Sequence, residues 1–502
     1  MKKILHLYPV LCLVFTGCIN DATNKDFKNL NEAIITGIEN KYENVYVDRP
    51  LVIRPEIKTT QGREEEFSFF WITYDKSTYY NADTLSKEKN LNIKVHMKPG
   101  AHCMKFKAVH IASGIFYEKE FTVNVINEFS TGLMILSERE DKAMLDFRIP
   151  DRNEVITDVY GKLNFGDILG GNPKRIIFNK YRSDETSEVM VLCQDENGGK
   201  ILDNITLSKR REYREIFFGN IPEKILPQAY YKSSMREYLI NDGLAYDRAV
   251  NTIVPPATVK PPLTLPGGSY KIAENADFGD KEENVSRMIL YDNKNMCFYS
   301  LYSITTAFLS KVGKTNGFVY INGGFFHPDN VGMKCLYAGI TSRSASGAKE
   351  YMGIFETPGG ERRLLKMEIG FYVTDAMPAS YFKDTDNRPI EEENVAKAVS
   401  FATSALLPGY LLYAAGSKIY LYNSNTSTGA AVYDLGAGHT IDHMEVERNS
   451  LCLWIAFRNR NLPDKKAGFC GLVIKTDGGF RLEEIAFHPH IADRIVDFEN
   501  KY

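Results

Sequence analysis

Tryptophan is scarce in this chain, with 2 residues against 29 Tyr and 29 Phe in 502. An excess of one charge is also missing. The formal net charge is −3, so there is no basic field of the kind that holds nucleic acid. After residue 17 no stretch approaches the roughly 18 apolar residues of a membrane-spanning helix. No CxxC pair occurs, and Cys103, Cys193, Cys297, Cys335, Cys452 and Cys470 are widely spaced, which argues against a zinc cluster. Runs such as VMVLCQ and FCGLVI read as strands with buried thiols, although Cys452 and Cys470 would be able to pair if their strands were neighbours. HExxH and GxSxG are absent. VGKTNG contains Gly313-Lys314-Thr315, but Phe308 stands where a phosphate-cradling loop needs glycine. These gaps weigh against an enzyme and against any organic cofactor.

What is present begins at the N-terminus, with Lys2 and Lys3, an apolar run from Ile4 to Phe15 broken by His6, and then Thr16-Gly17-Cys18. That order is the layout of a secretory signal ending in small residues at a cleavage site. A cysteine directly after the cut resembles the lipobox of bacterial lipoproteins, with Phe15 where Leu is more usual. The resemblance implies residues 1–17 as signal peptide and acylation of the Cys18 thiol. Two or more acyl chains anchor firmly where one binds only marginally. An ordinary cleaved signal is the alternative.

Residues 18–41 are polar apart from Ala33 to Ile38 and read as a tether with a weak helix. From 42 to 128 the pattern is short strands and turns around Trp71, with Phe67, Phe69 and Trp71 alternating on one face, the outline of an immunoglobulin-like sandwich. WITYD, KPGAHCMKFKAVHIASGIFYEKEFTVNV and the exit STGLMILSEREDKAMLDF resemble the PKD-like family of bacterial lipoproteins. That resemblance implies a cell-surface component of a nutrient-uptake locus, near a TonB-dependent transporter and its lipoprotein lid.

Beyond 129, units of apolar strand, polar turn and apolar strand recur, with turns near 140, 196, 243, 293, 358, 417 and 477. Spacing of about one four-stranded blade predicts a β-propeller over 129–502, with seven blades and with six or eight as alternatives. RIVDFENKY at the C-terminus is expected to close the ring beside LMILSE. A two-sheet β protein is the rival architecture.

Two stretches stand out as candidate sites. In YINGGFFHPDN, Phe326 is a candidate for stacking on a sugar or peptide, with His327 and Asp329 as hydrogen-bonding partners; a core-packed turn is the alternative. In KDTDNRPIEEEN, read as a loop, the oxygens of Asp384, Asp386 and Glu391 fit a structural calcium loosely, without the glycine of an EF-hand; a solvated acidic loop that binds no ion is the alternative. His439 and His443 lie four apart on a strand, about 13 Å, too far for one metal. Tyrosine pairs at 79–80 and 230–231, and YLLY at 410–413, are further stacking candidates. The expectation is a non-catalytic, outer-membrane-anchored lipoprotein that binds a glycan or peptide at the cell surface. The periplasmic face, a structural docking role on a transporter and a propeller hydrolase or lyase are the alternatives.

Overall fold

The computed structural model describes residues 31–47, 49–74, 82–97, 100–181, 186–217, 221–232, 236–249, 261–278, 288–301, 309–313, 318–343, 348–370, 380–463 and 466–502. Cys18, the signal segment and the tyrosines at 79–80 lie outside the described residues. The chain divides into two compact units, Met1–Ile126 and Asn127–Tyr502.

The first unit is a sandwich. Phe67–Tyr74 pairs antiparallel with Gly100–His110, which pairs onward with Phe116–Ile126. Lys41–Tyr46 joins one edge in parallel and Asp83–Ser86 the other. Pro50–Ile53 pairs with Leu91–Lys94, and Leu51, Ile53 and Leu91 pack onto the same core as Trp71 and Phe106. Trp71 is fully buried, with its ring 4.6 Å from that of Phe106. Its Nε1–H donates to the carbonyls of Glu88 (3.0 Å) and Lys89 (3.2 Å), the partners a buried indole requires. One expectation is corrected here. Ala33–Thr36, read as tether with a weak helix, is a strand paired with Glu56–Thr59, and Ala33 is buried. The β-branched run Ile34-Ile35-Thr36 prefers extended backbone, and a partner strand was available to take it.

The second unit is a seven-bladed β-propeller. Its first sheet is Gly132–Arg139, Lys142–Ile149 and Glu154–Ile156, completed by the C-terminal Arg494–Lys501. Six more sheets follow within 173–212, 227–249, 288–311, 318–389, 400–434 and 439–492. The last strand closes the ring antiparallel to the first, from Gly132 opposite Lys501 to Glu138 opposite Arg494.

Successive side chains on a strand point to opposite faces, and in this ring both faces are covered. Met134 and Leu136 pack with Ile176, Val189 and Val191 of the second sheet, while Leu133 and Ile135 pack with Trp454 and Phe469 of the seventh. The same arrangement recurs around the ring, for example where Ile177 and Met190 of the second sheet meet Tyr230 and Leu239 of the third. Burial on both faces is why LMIL, VMVLC and LCLWIAF are continuous apolar runs. Turns follow hairpin chemistry. Asp242 (φ 47°) and Gly243 (φ 79°) form the two-residue turn between Asn241 and Leu244, both in the left-handed region that suits a right-twisted hairpin.

The thiols at 452 and 470 do not pair. Their strands are neighbours, but Cys452 stands opposite Val473 and Cys470 opposite Ile455. They point into different inter-blade cores, and all six described cysteines are free.

Phe498 sits between first and seventh blades, against Trp454 and Phe469. Phe498→Ala is expected to cost about 3–5 kcal/mol of propeller stability by urea denaturation. A cost below about 1 kcal/mol would show that closure does not depend on this packing.

Candidate functional site

The two stretches singled out in the sequence meet in one structure. Phe318–Ile321 adds to the outer edge of the fifth sheet in parallel with Ser380–Pro389, so Asp384 lies under the loop that follows Ile321. Its Oδ1 accepts from Gly323 N (2.6 Å) and the Tyr320 hydroxyl (3.0 Å), and its Oδ2 from Phe325 N (2.6 Å) and Phe326 N (3.0 Å). Burial alone would raise this carboxyl, but the three backbone N–H donors and Tyr320 outweigh it and hold it below the ordinary carboxylate range. The phenol of Tyr320 moves the other way, up to about 12, through burial and the Asp384 carboxylate. Gly323 is required there, because a Cβ would lie 1.7 Å from the Asp384 carbonyl oxygen.

The separate candidates are placed accordingly. Phe326 turns inward against Phe382 (6.2 Å) and Phe298 (6.4 Å), while Phe325 stays half exposed at 49 %. His327 lies edge-on to Tyr320 at 4.8 Å, and its Nδ1 accepts from Asp329 N at 3.2 Å. The Asp329 carbonyl accepts from Lys311 Nζ at 3.1 Å. Asp386 pairs with Arg388 at 3.1 Å, and Glu391 is exposed. Asp384, Asp386 and Glu391 therefore do not converge on one cation. The strand that carries the two aspartates was read as a loop, and Asp384 binds backbone N–H groups in place of an ion.

A second site emerges at the opposite edge of the sheets. A cavity of about 550 Å³, the central channel, lies inside the ring, lined by residues of every blade. It includes Arg175, Tyr231, Tyr337, Phe401, Glu445 and Asp497, with Glu274–Asp277 from the fourth blade. The Tyr337 and Phe401 rings lie 6.0 Å apart at 30°, and the Tyr337 hydroxyl is fixed by Thr403 Oγ1 and Thr403 N, each at 2.9 Å. Tyr230 and Tyr231, expected as a stacking pair, reach the cavity wall but pack mainly in the inter-blade cores; the hydroxyl of Tyr231 donates to the Ala273 carbonyl (2.5 Å).

Charge gathers on one wall. Asp497, on the closing strand, accepts from Ile176 N at 2.9 Å through Oδ2, with Arg175 Nε 3.9 Å from the same oxygen. Its Oδ1 lies 3.4 Å from His443 Nε2. That contact is within ion-pair range but misaligned for a hydrogen bond, so Nε2 is shielded from water without a hydrogen-bond partner. The His443 ring stacks on Phe498 at 6.1 Å. Glu445, two residues along the strand from His443, is pushed up to about 8 by burial first and by the Asp497 and Glu499 carboxylates second, against smaller opposing effects of His443 and Arg175. His443, Glu445 and Asp497 bring ligand atoms within 4.8 Å of one another, the one group of its kind among the described residues. Sequence reading set His443 beside His439, whose ring instead packs on Phe457 at 5.4 Å. The usable signal was the pair of alternating polar positions, His443/Glu445 and Asp497/Glu499, in otherwise apolar strands.

Residues 18–173 match the PKD-like family. The N-terminal sandwich is thus PKD-like, and the match runs on through the first three strands of the propeller's first sheet. Among solved structures, the chain is similar to a quinonprotein alcohol dehydrogenase-like protein from Bacteroides thetaiotaomicron, at 11 % identity and TM-score 0.40, covering 92 % of this chain and 96 % of that one. It is also similar to Hsv2 of Kluyveromyces lactis, at 7 % identity and TM-score 0.39, covering 73 % and 97 %. No curated protein matches.

Two outcomes follow from these environments. Asp384→Asn removes a carboxylate whose depressed pKa stabilises the fold above the unfolded value near 3.9, so it is expected to cost about 2–3 kcal/mol at pH 7. The difference from the parent should shrink as pH falls below about 4, measured by denaturant titration; a gap unchanged at pH 3 would contradict the account. Glu445 has the opposite sign. Its raised carboxyl contributes stability that is complete below about 4.3 and fades as pH rises through about 8. Glu445→Gln should flatten Tm against pH across that window, modestly because this side chain is half-buried and faces channel water.

Proposed function

We propose that this chain is an outer-membrane lipoprotein, anchored through Cys18 and displayed at the cell surface, that binds a nutrient glycan or peptide in the propeller channel without converting it. A TonB-dependent transporter and its lipoprotein lid would be the partners that take the ligand onward. The observation that carries the reading is the channel itself. Its volume of about 550 Å³ is in the range of small-ligand pockets. The Tyr337–Phe401 ring pair offers an apolar face for a sugar ring or peptide chain, and charged groups nearby offer partners for hydroxyls or chain ends. The loop at 320–330 supports this choice by exclusion, since its hydrogen bonds and Phe326 are already engaged within the fold.

The test is a glycan and peptide array on the full chain in detergent, followed by Phe401→Ala. A ligand from either class should lose at least tenfold in affinity in the variant. Absence of any ligand, or an unchanged Kd in a folded variant, rejects the channel as the site. The anchor is tested separately: Cys18→Ser should move the protein from the detergent to the aqueous phase on Triton X-114 partition.

One observation favours a second reading, hydrolysis. Glu445, held protonated near neutrality, stands beside the Asp497 carboxylate, and their oxygens lie within 4.8 Å. Retaining glycosidases place their two carboxyl groups about 5–5.5 Å apart. Here the two sit on neighbouring inner strands of one wall, an arrangement less suited to flanking a scissile bond. Turnover of a bound glycan that Glu445→Gln abolishes would establish this reading.

A further inference from the structure

We propose that His443, Glu445 and Asp497 form a binding site for a divalent transition-metal ion of the zinc type on the channel wall. The site goes beyond ligand binding in the channel and does not depend on it.

The argument begins with donor type. One imidazole nitrogen and two carboxylates are the mixed N/O set that zinc and its first-row neighbours take, whereas calcium and magnesium prefer oxygen alone. The three ligand atoms lie within 4.8 Å of one another. Tetrahedral bonds of roughly 2.0–2.2 Å place donors about 3.3–3.6 Å apart. His443 Nε2 and Asp497 Oδ1, 3.4 Å apart, already meet that spacing, and rotation of Glu445, which is half-buried and faces the cavity, brings in the third donor.

Orientation is already set for the other two. His443 is stacked on Phe498, and its Nε2 is shielded from water with no hydrogen-bond partner. An imidazole nitrogen in that state costs free energy unless something takes its lone pair or its proton. Asp497 has one oxygen held by Ile176 N, which leaves Oδ1 aimed at His443. Such outer contacts are what fix metal-binding carboxylates elsewhere.

Charge points the same way. Glu445, Asp497 and Glu499 line the same wall, and Arg175 Nε lies 3.9 Å from Asp497 Oδ2. A divalent ion would offset the carboxylates gathered there.

The test uses the full chain in detergent, stripped with a chelator and titrated with Zn²⁺ by calorimetry and with Co²⁺ by visible absorption. One Zn²⁺ per chain is expected, with a Co²⁺ d–d band and a rise in Tm. His443→Gln should weaken Zn²⁺ binding at least tenfold and remove the Co²⁺ band. If that variant does not fold, Glu445→Gln, which faces the channel, provides the same readout. The proposal is overturned if no saturable binding occurs below about 100 μM, or if a folded variant binds as the parent does. Binding of glycan or peptide to the stripped protein is scored independently, so failure of either reading leaves the other intact.

Discussion

Everything in the propeller depends on one pairing, Arg494–Lys501 against Gly132–Arg139. A ring of sheets without that strand would leave Leu133 and Ile135 without their cover and an open sheet edge beside them. With it, each blade is covered by two neighbours, so apolar burial is distributed around a closed circuit. The same strand supplies Asp497 and Glu499 to the channel and Phe498 to the core against the seventh blade. Closure and channel chemistry are therefore carried by a single eight-residue strand.

Buried charge is handled in three ways. Arg248, fully buried, is held by Glu237 Oε2 at its Nε (2.6 Å) and by Glu188 Oε1 at Nη2 (2.6 Å), which ties the second blade to the third. Asp384 is neutralised by backbone dipoles and a phenol, which fixes a loop at the outer edge of the fifth blade. In both cases the charge is met by groups of the fold itself, and the result is structure. At Glu445 burial first, and the Asp497 and Glu499 carboxylates second, push the carboxyl up to about 8. Unbalanced charge facing a cavity is the ordinary mark of a site that binds something.

Much of the fold was legible because burial on both faces leaves a strong mark. Runs such as LMIL and VMVLC, separated by turn residues at blade-like intervals, mark sheet after sheet, and RIVDFENKY reads as a strand that pairs with LMILSE. The Trp71 core was readable from its alternation with Phe67 and Phe69. The site was not legible in the same way. YINGGFFHPDN attracts notice through its glycines and aromatics, yet those residues are unusual because a buried carboxylate 58–61 residues away needs Gly323, Phe325 and Phe326 to offer their N–H groups. The channel residues lie on different blades, and no local spacing encodes that Asp497 will stand beside His443. Ala33–Thr36 was misread because four apolar and β-branched residues carry too little periodicity to separate helix from strand without the partner at 56–59.

Asp497 shows how closely architecture and chemistry are joined. Its backbone belongs to the first blade, its Oδ2 accepts from Ile176 of the second, and its Oδ1 faces His443 of the seventh. One side chain thus bridges the seam where the propeller's first and last strands meet. The contacts that hold this side chain are the ones that join the three blades: Arg175 Nε lies 3.9 Å from its Oδ2, and His443 Nε2 lies 3.4 Å from its Oδ1. A cation bound between Asp497, His443 and Glu445 would add a further link across the first and seventh blades at the same point.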